Sequence, residues 1–180
     1  MKKFIPALSL FVLLTVFTTS CEKAKSLVFP KFEAAAGDVV LNLPVISNTT
    51  TEASVGSVDL HFNLDSLIKA HTAGEFSVSH AKSVTVKNVV LEVLNGDAES
   101  NISNFETVKV SLSSNTNTTP VTLVSANLMD VNQPQVINGN GTELKEYLKD
   151  HMFTYNVAGK LRRPTRKSLQ LQVSLILSVK

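Results

Sequence analysis

The chain has 180 residues, with 17 basic and 15 acidic side chains, four histidines and a formal charge of +2. Lys2 and Lys3 supply that excess, so from residue 21 onward the charges balance at 15 each, which argues against a nucleic-acid binder that needs a basic face to displace counterions. Abundant Val and Leu with modest charge exclude a disordered chain, and a single cysteine excludes a disulfide framework or a cysteine metal site.

Met1-Lys2-Lys3 opens a positive segment. Residues 4–17 form an apolar run broken only by Pro6, Ser9 and Thr15, and Thr18-Thr19-Ser20 lead to Cys21. This is the layout of an export signal, and the run is too short for a membrane-spanning helix of about 20 residues. Thr18-Thr19-Ser20-Cys21 resembles the bacterial lipobox, with Thr18 at the position where leucine is commonest. The resemblance implies cleavage before Cys21, a thioether-linked diacylglycerol on its sulfur and a third acyl chain on its freed amine. One myristoyl chain holds a protein on a bilayer only marginally, whereas two or more hold it stably. The expected division is a signal peptide at 1–20, an acylated cysteine and polar tether at 21–26, and one domain at 27–180. A domain of that length buries enough surface to need no staples.

Period-two alternation runs through the rest. Val39, Leu41, Leu43 and Val45 predict a strand, and Pro44, lacking a ladder donor, places it at an edge or ends it. Val58, Leu60, Phe62 and Leu64 alternate with Asp59, His61 and Asn63 and predict a half-buried strand. Val84 and Val86 are one residue out of phase with Val89, Leu91 and Val93. A bulge or bend near Asn88 is required to keep both sets on one face. Asn95-Gly96-Asp97 predicts a turn. Val108, Val110 and Leu112 predict the next strand, Val121 and Leu123 another after Pro120, and Phe153, Tyr155 and Val157 a third. Leu169, Leu171, Val173, Leu175, Leu177 and Val179 alternate strictly with polar residues from Gln170 to Ser174 and predict the last.

Two short crossover helices are predicted. Residues 66–71 follow Asp65 as cap, and residues 143–149 follow Thr142, with Leu144, Tyr147 and Leu148 on one face. Stretches 47–51, 95–104 and 113–119, rich in Asn, Ser and Thr, predict loops, and Asn-Gly-Asn-Gly at 138–141 predicts a flexible approach to the second helix. The fold class is mainly β: a single antiparallel β-sandwich, immunoglobulin-like or related, with two short crossover helices after an N-terminal signal segment. A small barrel is the alternative.

Catalysis needs a constellation, and the sequence shows none. His61, His71, His80 and His151 are scattered without metal-ligand spacing. A Gly-x-Ser-x-Gly elbow, a thiol nucleophile after Cys21, a phosphate loop and a calcium loop are all missing. Asp59 and Asp65 read as an exposed strand residue and a helix cap. No catalytic residue, metal or cofactor is expected. Lys160, Arg162, Arg163, Arg166 and Lys167 crowd around Pro164 in a predicted hairpin. They read as an anion-binding tip for lipid phosphate, anionic glycan or acidic protein, or as a solvated turn whose charges block edge pairing. With no Trp, stacking faces for a glycan are limited to Phe29, Phe32, Phe76, Phe105, Tyr147 and Tyr155, most of them expected in the core.

The whole pattern resembles small bacterial cell-envelope lipoproteins that carry one immunoglobulin-like or related β-sandwich. That resemblance implies a lipid-anchored envelope protein at the outer membrane, not an enzyme, acting as a binding or scaffolding module. Its expected partners are the membrane, through lipid on Cys21, and an envelope protein or glycan. A glycan-binding or adhesion accessory is the alternative, and a hydrolase with residues gathered from separate loops ranks last.

Overall fold

The computed structural model describes residues 28–180; the signal segment at 1–20, Cys21 and the tether at 21–26 lie outside the described residues. Eight strands form two antiparallel sheets of four. One sheet has the order β1 (Phe32–Leu43), β8 (Leu169–Val179), β3 (Val84–Val93), β6 (Gln135–Asn138). The other has the order β2 (Ala53–His61), β7 (Met152–Leu161), β4 (Phe105–Ser114), β5 (Val121–Asn127). The predicted sandwich is therefore present. Its eight-stranded order, with β1 and β2 in opposite sheets and β7 and β8 likewise, is that of a jelly roll, a relative of the seven-stranded immunoglobulin arrangement.

Alternation decides the layers. Leu169, Leu171, Val173, Leu175, Leu177 and Val179 of β8 point into the core, opposite Phe153, Tyr155 and Val157 of β7 and Val108, Val110 and Leu112 of β4. The phase slip near Asn88 is a bulge. The register of β3 against β8 shifts between Val86 and Asn88, and Val84, Val86, Val89 and Leu91 are all buried. β1 uses the same device between Ala35 and Asp38, where Gly37 sits at φ 102°, and so keeps Ala34 and Ala36 inward together with Val39 and Leu41. β1 stops at Leu43, before Pro44, and is an edge strand.

The helices depart from expectation. The α-helix α1 spans Leu64–His71, and its cap is Asn63, whose Oδ1 accepts from the Ser66 amide at 2.9 Å. Asp65 lies in the first turn, paired with Lys69 at 2.6 Å and accepting from the Val78 amide at 2.9 Å. The second helix is reduced to a 3-10 turn at Tyr147–Lys149. Residues 139–144 bridge the two sheets instead. Gly139 N–H donates to the Lys87 carbonyl at 2.8 Å, Asn140 Nδ2 to the Thr122 carbonyl at 2.8 Å, and Leu144 N–H to the Val84 carbonyl at 2.7 Å. Glu143 returns the favour by accepting from the Val84 amide at 2.8 Å, and Thr142, the expected cap, reaches the Thr122 carbonyl. Long-range bonds to preformed strands outcompete a short helix with a costly nucleus. The expected flexible approach is thus a strap closing the side of the sandwich between β3 and β5.

The two ends of the sandwich differ. Residues 28–31, α1, the 139–151 segment and Lys180 gather where β1 begins, here the entry end. The loops at 44–52, 94–104, 128–134 and 162–168 gather at the opposite end, here the far end.

Candidate functional site

The far end holds the predicted basic cluster. β7 stops at Leu161 and β8 starts at Leu169 in the other sheet, so residues 162–168 form an arch between sheets; the expected hairpin is corrected. The arch brings all five predicted residues together, and each faces a carboxylate. Lys160 pairs with Glu106 at 2.8 Å, Arg166 with Glu99 at 2.8 Å and Lys167 with Asp97 at 2.9 Å. Arg163 grips Asp130 with both guanidinium nitrogens, and Arg162 lies 3.5 Å from the same carboxylate. The Arg163 guanidinium holds the Asp130 carboxyl below the usual carboxylate range, and Asp130 in turn pushes Arg163 up. Lys167, followed by the amides of Ser100 and Glu99, does the same to Asp97.

The cluster has two tiers. Arg162 is a clamp: its guanidinium donates to the carbonyls of Ser103 at 2.9 Å, Phe105 at 3.3 Å and Leu128 at 2.9 Å. Below it, the 94–104 loop is tied by its own amides. Asn101 Nδ2 donates to the Asp97 carbonyl at 2.7 Å, and Asn104 Nδ2 donates to the Glu99 and Pro164 carbonyls at 3.0 Å each. Asn101 and Asn104 are buried, so these amides hold the arch in place. The outer tier is looser. Arg166 and Glu99 are 74% and 62% exposed, and so exposed a pair contributes little to stability. A cleft of about 330 Å³ opens beside them, lined by Glu99, Ser103, Asn104, Arg163, Pro164 and Arg166.

Apolar side chains are exposed at this same end. Val45 is 51% exposed, Leu94 48%, Met129 64% and Val131 40%, each on a far-end loop. The four acidic partners of the cluster and these apolar tips escape sequence reasoning. The acids lie tens of residues from the basic run, on segments that only the strand order brings beside it.

Other predicted residues fall elsewhere. His61, His71, His80 and His151 are exposed, and among the described residues no group of three or more His, Cys, Asp or Glu side chains could hold a metal ion. His71 stacks on Phe32 with ring centroids 4.7 Å apart, and Phe29 meets Phe76 edge-on at 5.3 Å. Phe105 and Tyr155 are core residues, and Phe29, Phe32 and Tyr147 are partly buried against the core. The outer face of the β2-β7-β4-β5 sheet carries a polar row, Ser57, Asn156, Ser111 and Thr122, in direct cross-strand register. Asp59, Thr154 and Ser113 form a second row beside it. Among the described residues no helix is long and apolar enough to cross a membrane.

No family model matches the chain, and no curated protein does. Among solved structures, it is similar to the family 32 carbohydrate-binding module of C. perfringens NanJ in complex with galactose, at 6% identity and a TM-score of 0.37, over 81% of this chain and 99% of that one. Nothing about the ligand of this chain follows from that likeness.

Proposed function

We propose that the chain is a lipid-anchored protein of the bacterial cell envelope, held at the outer membrane through Cys21, that acts without catalysis as a binding or scaffolding module. Its contact surface is the far end. One observation carries this reading: four large apolar side chains, Val45, Leu94, Met129 and Val131, stand exposed on the loops opposite the entry of the N-terminal segment. Isolated exposed apolar residues are ordinary, but four on the loops of one end, which also carries the ion pairs of the arch, have the makeup of a protein contact. The ion pairs of Lys160, Arg163, Arg166 and Lys167 then offer charges of both signs that orient a partner. Pull-down from solubilised envelopes with the full chain tests this. A Leu94→Ser/Met129→Ser/Val131→Ser variant is expected to lose the proteins that the native chain captures; an identical captured set would contradict the reading.

A second reading is supported by the polar rows on the outer sheet face. Ser57, Asn156, Ser111 and Thr122 offer hydroxyl and amide groups in register, which suits hydrogen bonding to an extended glycan. That reading uses hydrogen bonds alone, because the described aromatic side chains are occupied in packing.

A further inference from the structure

We infer that the entry end lies against the membrane and contacts anionic lipid headgroups through Lys31, Lys82 and Lys180; this rests on the acylation of Cys21 proposed above. Eight residue steps separate Cys21 from Phe29 and span at most about 29 Å when fully extended. Phe29 is not free to wander: it packs edge-on against Phe76, and Phe32 stacks on His71 of α1. The chain is therefore fastened to the body at the entry end, within a short reach of any lipid on Cys21. The far end lies a full strand length beyond, about 36 Å along the twelve residues of β1.

The entry end is also chemically suited to such a surface. Lys31 precedes Phe32, which pairs with Val179, and Lys180 follows Val179, so the two lysines extend neighbouring strands. Lys82 N–H donates to the Lys180 carbonyl at 2.6 Å, which places the third lysine in the same corner. All three are exposed, and none forms an ion pair with a described residue. A cleft of about 430 Å³ lies between Lys31 and Lys180, lined also by Phe32, Glu33 and Ser178. Side-chain carboxylates nearby are engaged: Glu33 with Lys87, Asp65 with Lys69, Glu146 with Lys149, and Glu143 with the Val84 amide. Glu75 is the exposed acid on the α1 side. Each lysine beside an anionic leaflet strengthens association about fivefold, a gain that fades within a Debye length.

The test uses the acylated full chain in vesicles bearing a headgroup-linked quencher. A thioether at Cys21 leaves an introduced cysteine as the free thiol to label. Ser79→Cys reports the entry end and Ser47→Cys the far end, and both positions are exposed. In vesicles containing phosphatidylglycerol, the Ser79 label is expected to be strongly quenched and the Ser47 label not. Lys31→Gln/Lys82→Gln/Lys180→Gln, or pure phosphatidylcholine, is expected to weaken the Ser79 quenching. Equal quenching of both labels on protein that floats with the vesicles would overturn the orientation, and quenching indifferent to the lysines and to lipid charge would overturn the headgroup contact. Protein that does not float and carries an unmodified Cys21 would instead remove the anchor itself.

Discussion

Arg162→Ala is expected to cost about 2–3 kcal/mol of folding stability, the magnitude that follows from removing a charged donor shared among several acceptors. Its guanidinium joins three carbonyls from two separate segments, Ser103 and Phe105 at the start of β4 and Leu128 beyond β5. The side chain is 27% exposed, so water recovers part of the loss and the full sum of three charged hydrogen bonds is not reached. Lysine is a poor substitute, because a single ammonium cannot reproduce the fork. Arg166→Ala, one turn of the arch away but 74% exposed, is expected to leave the urea midpoint almost unchanged. Equilibrium urea unfolding of the two variants checks the contrast; similar midpoints would show that the cluster has one tier. The carboxylates give the acid side of the same argument. Asp97 and Asp130 have folded values below the ordinary 3.8, so their contribution is fully present above that pH and is lost as pH falls through the lowered values.

Gly139→Ala is expected to be the most damaging single-methyl change, costing at least about 3 kcal/mol or detaching the strap altogether. A Cβ at this position would sit 2.1 Å from the Val86 carbonyl oxygen and 2.7 Å from its carbon. Both are backbone atoms of a paired strand, so no rotamer relieves the collision. The same glycine donates to the Lys87 carbonyl, which fixes the approach from the other side. Gly141→Ala serves as comparison. Its φ is +79° but its surroundings are open, so the substitution carries only the left-handed backbone penalty of about 1–2 kcal/mol. Amide hydrogen exchange distinguishes the two. Loss of protection at Gly139, Asn140 and Leu144 is expected in the first variant, and retained protection there would show that the strap does not depend on close approach.

Burial on one face made most of the fold legible. A strand with one side in the core carries its own alternation, and β3, β4, β7 and β8 could be read from theirs. Even the bulge at Asn88 could be read, because a phase slip with both sets buried admits few other solutions. The misses share a cause. β6 has four residues and only Ile137 and Gln135 buried, too short for a pattern. The second helix had good local spacing at Leu144, Tyr147 and Leu148, but strands distant in sequence hold its start: the Thr142 hydroxyl goes to the Thr122 carbonyl of β5 and the Leu144 amide to the Val84 carbonyl of β3. Asn63 took the capping role from Asp65 because Asp65 had a tertiary partner in the Val78 amide. At the far end the basic residues were visible as a run. Asp97, Glu99, Glu106 and Asp130, which neutralise them, were not, because jelly-roll strand order and nothing local places those loops side by side.

The central claim is that a compact jelly roll is tied to a bilayer by lipid on one sulfur. Intact-mass spectrometry of the protein recovered from the membranes of a bacterial host tests it most directly. The expected species begins at residue 21 and carries at least two acyl chains there; a chain retaining residues 1–20, or a mature chain with a free thiol at Cys21, would contradict it.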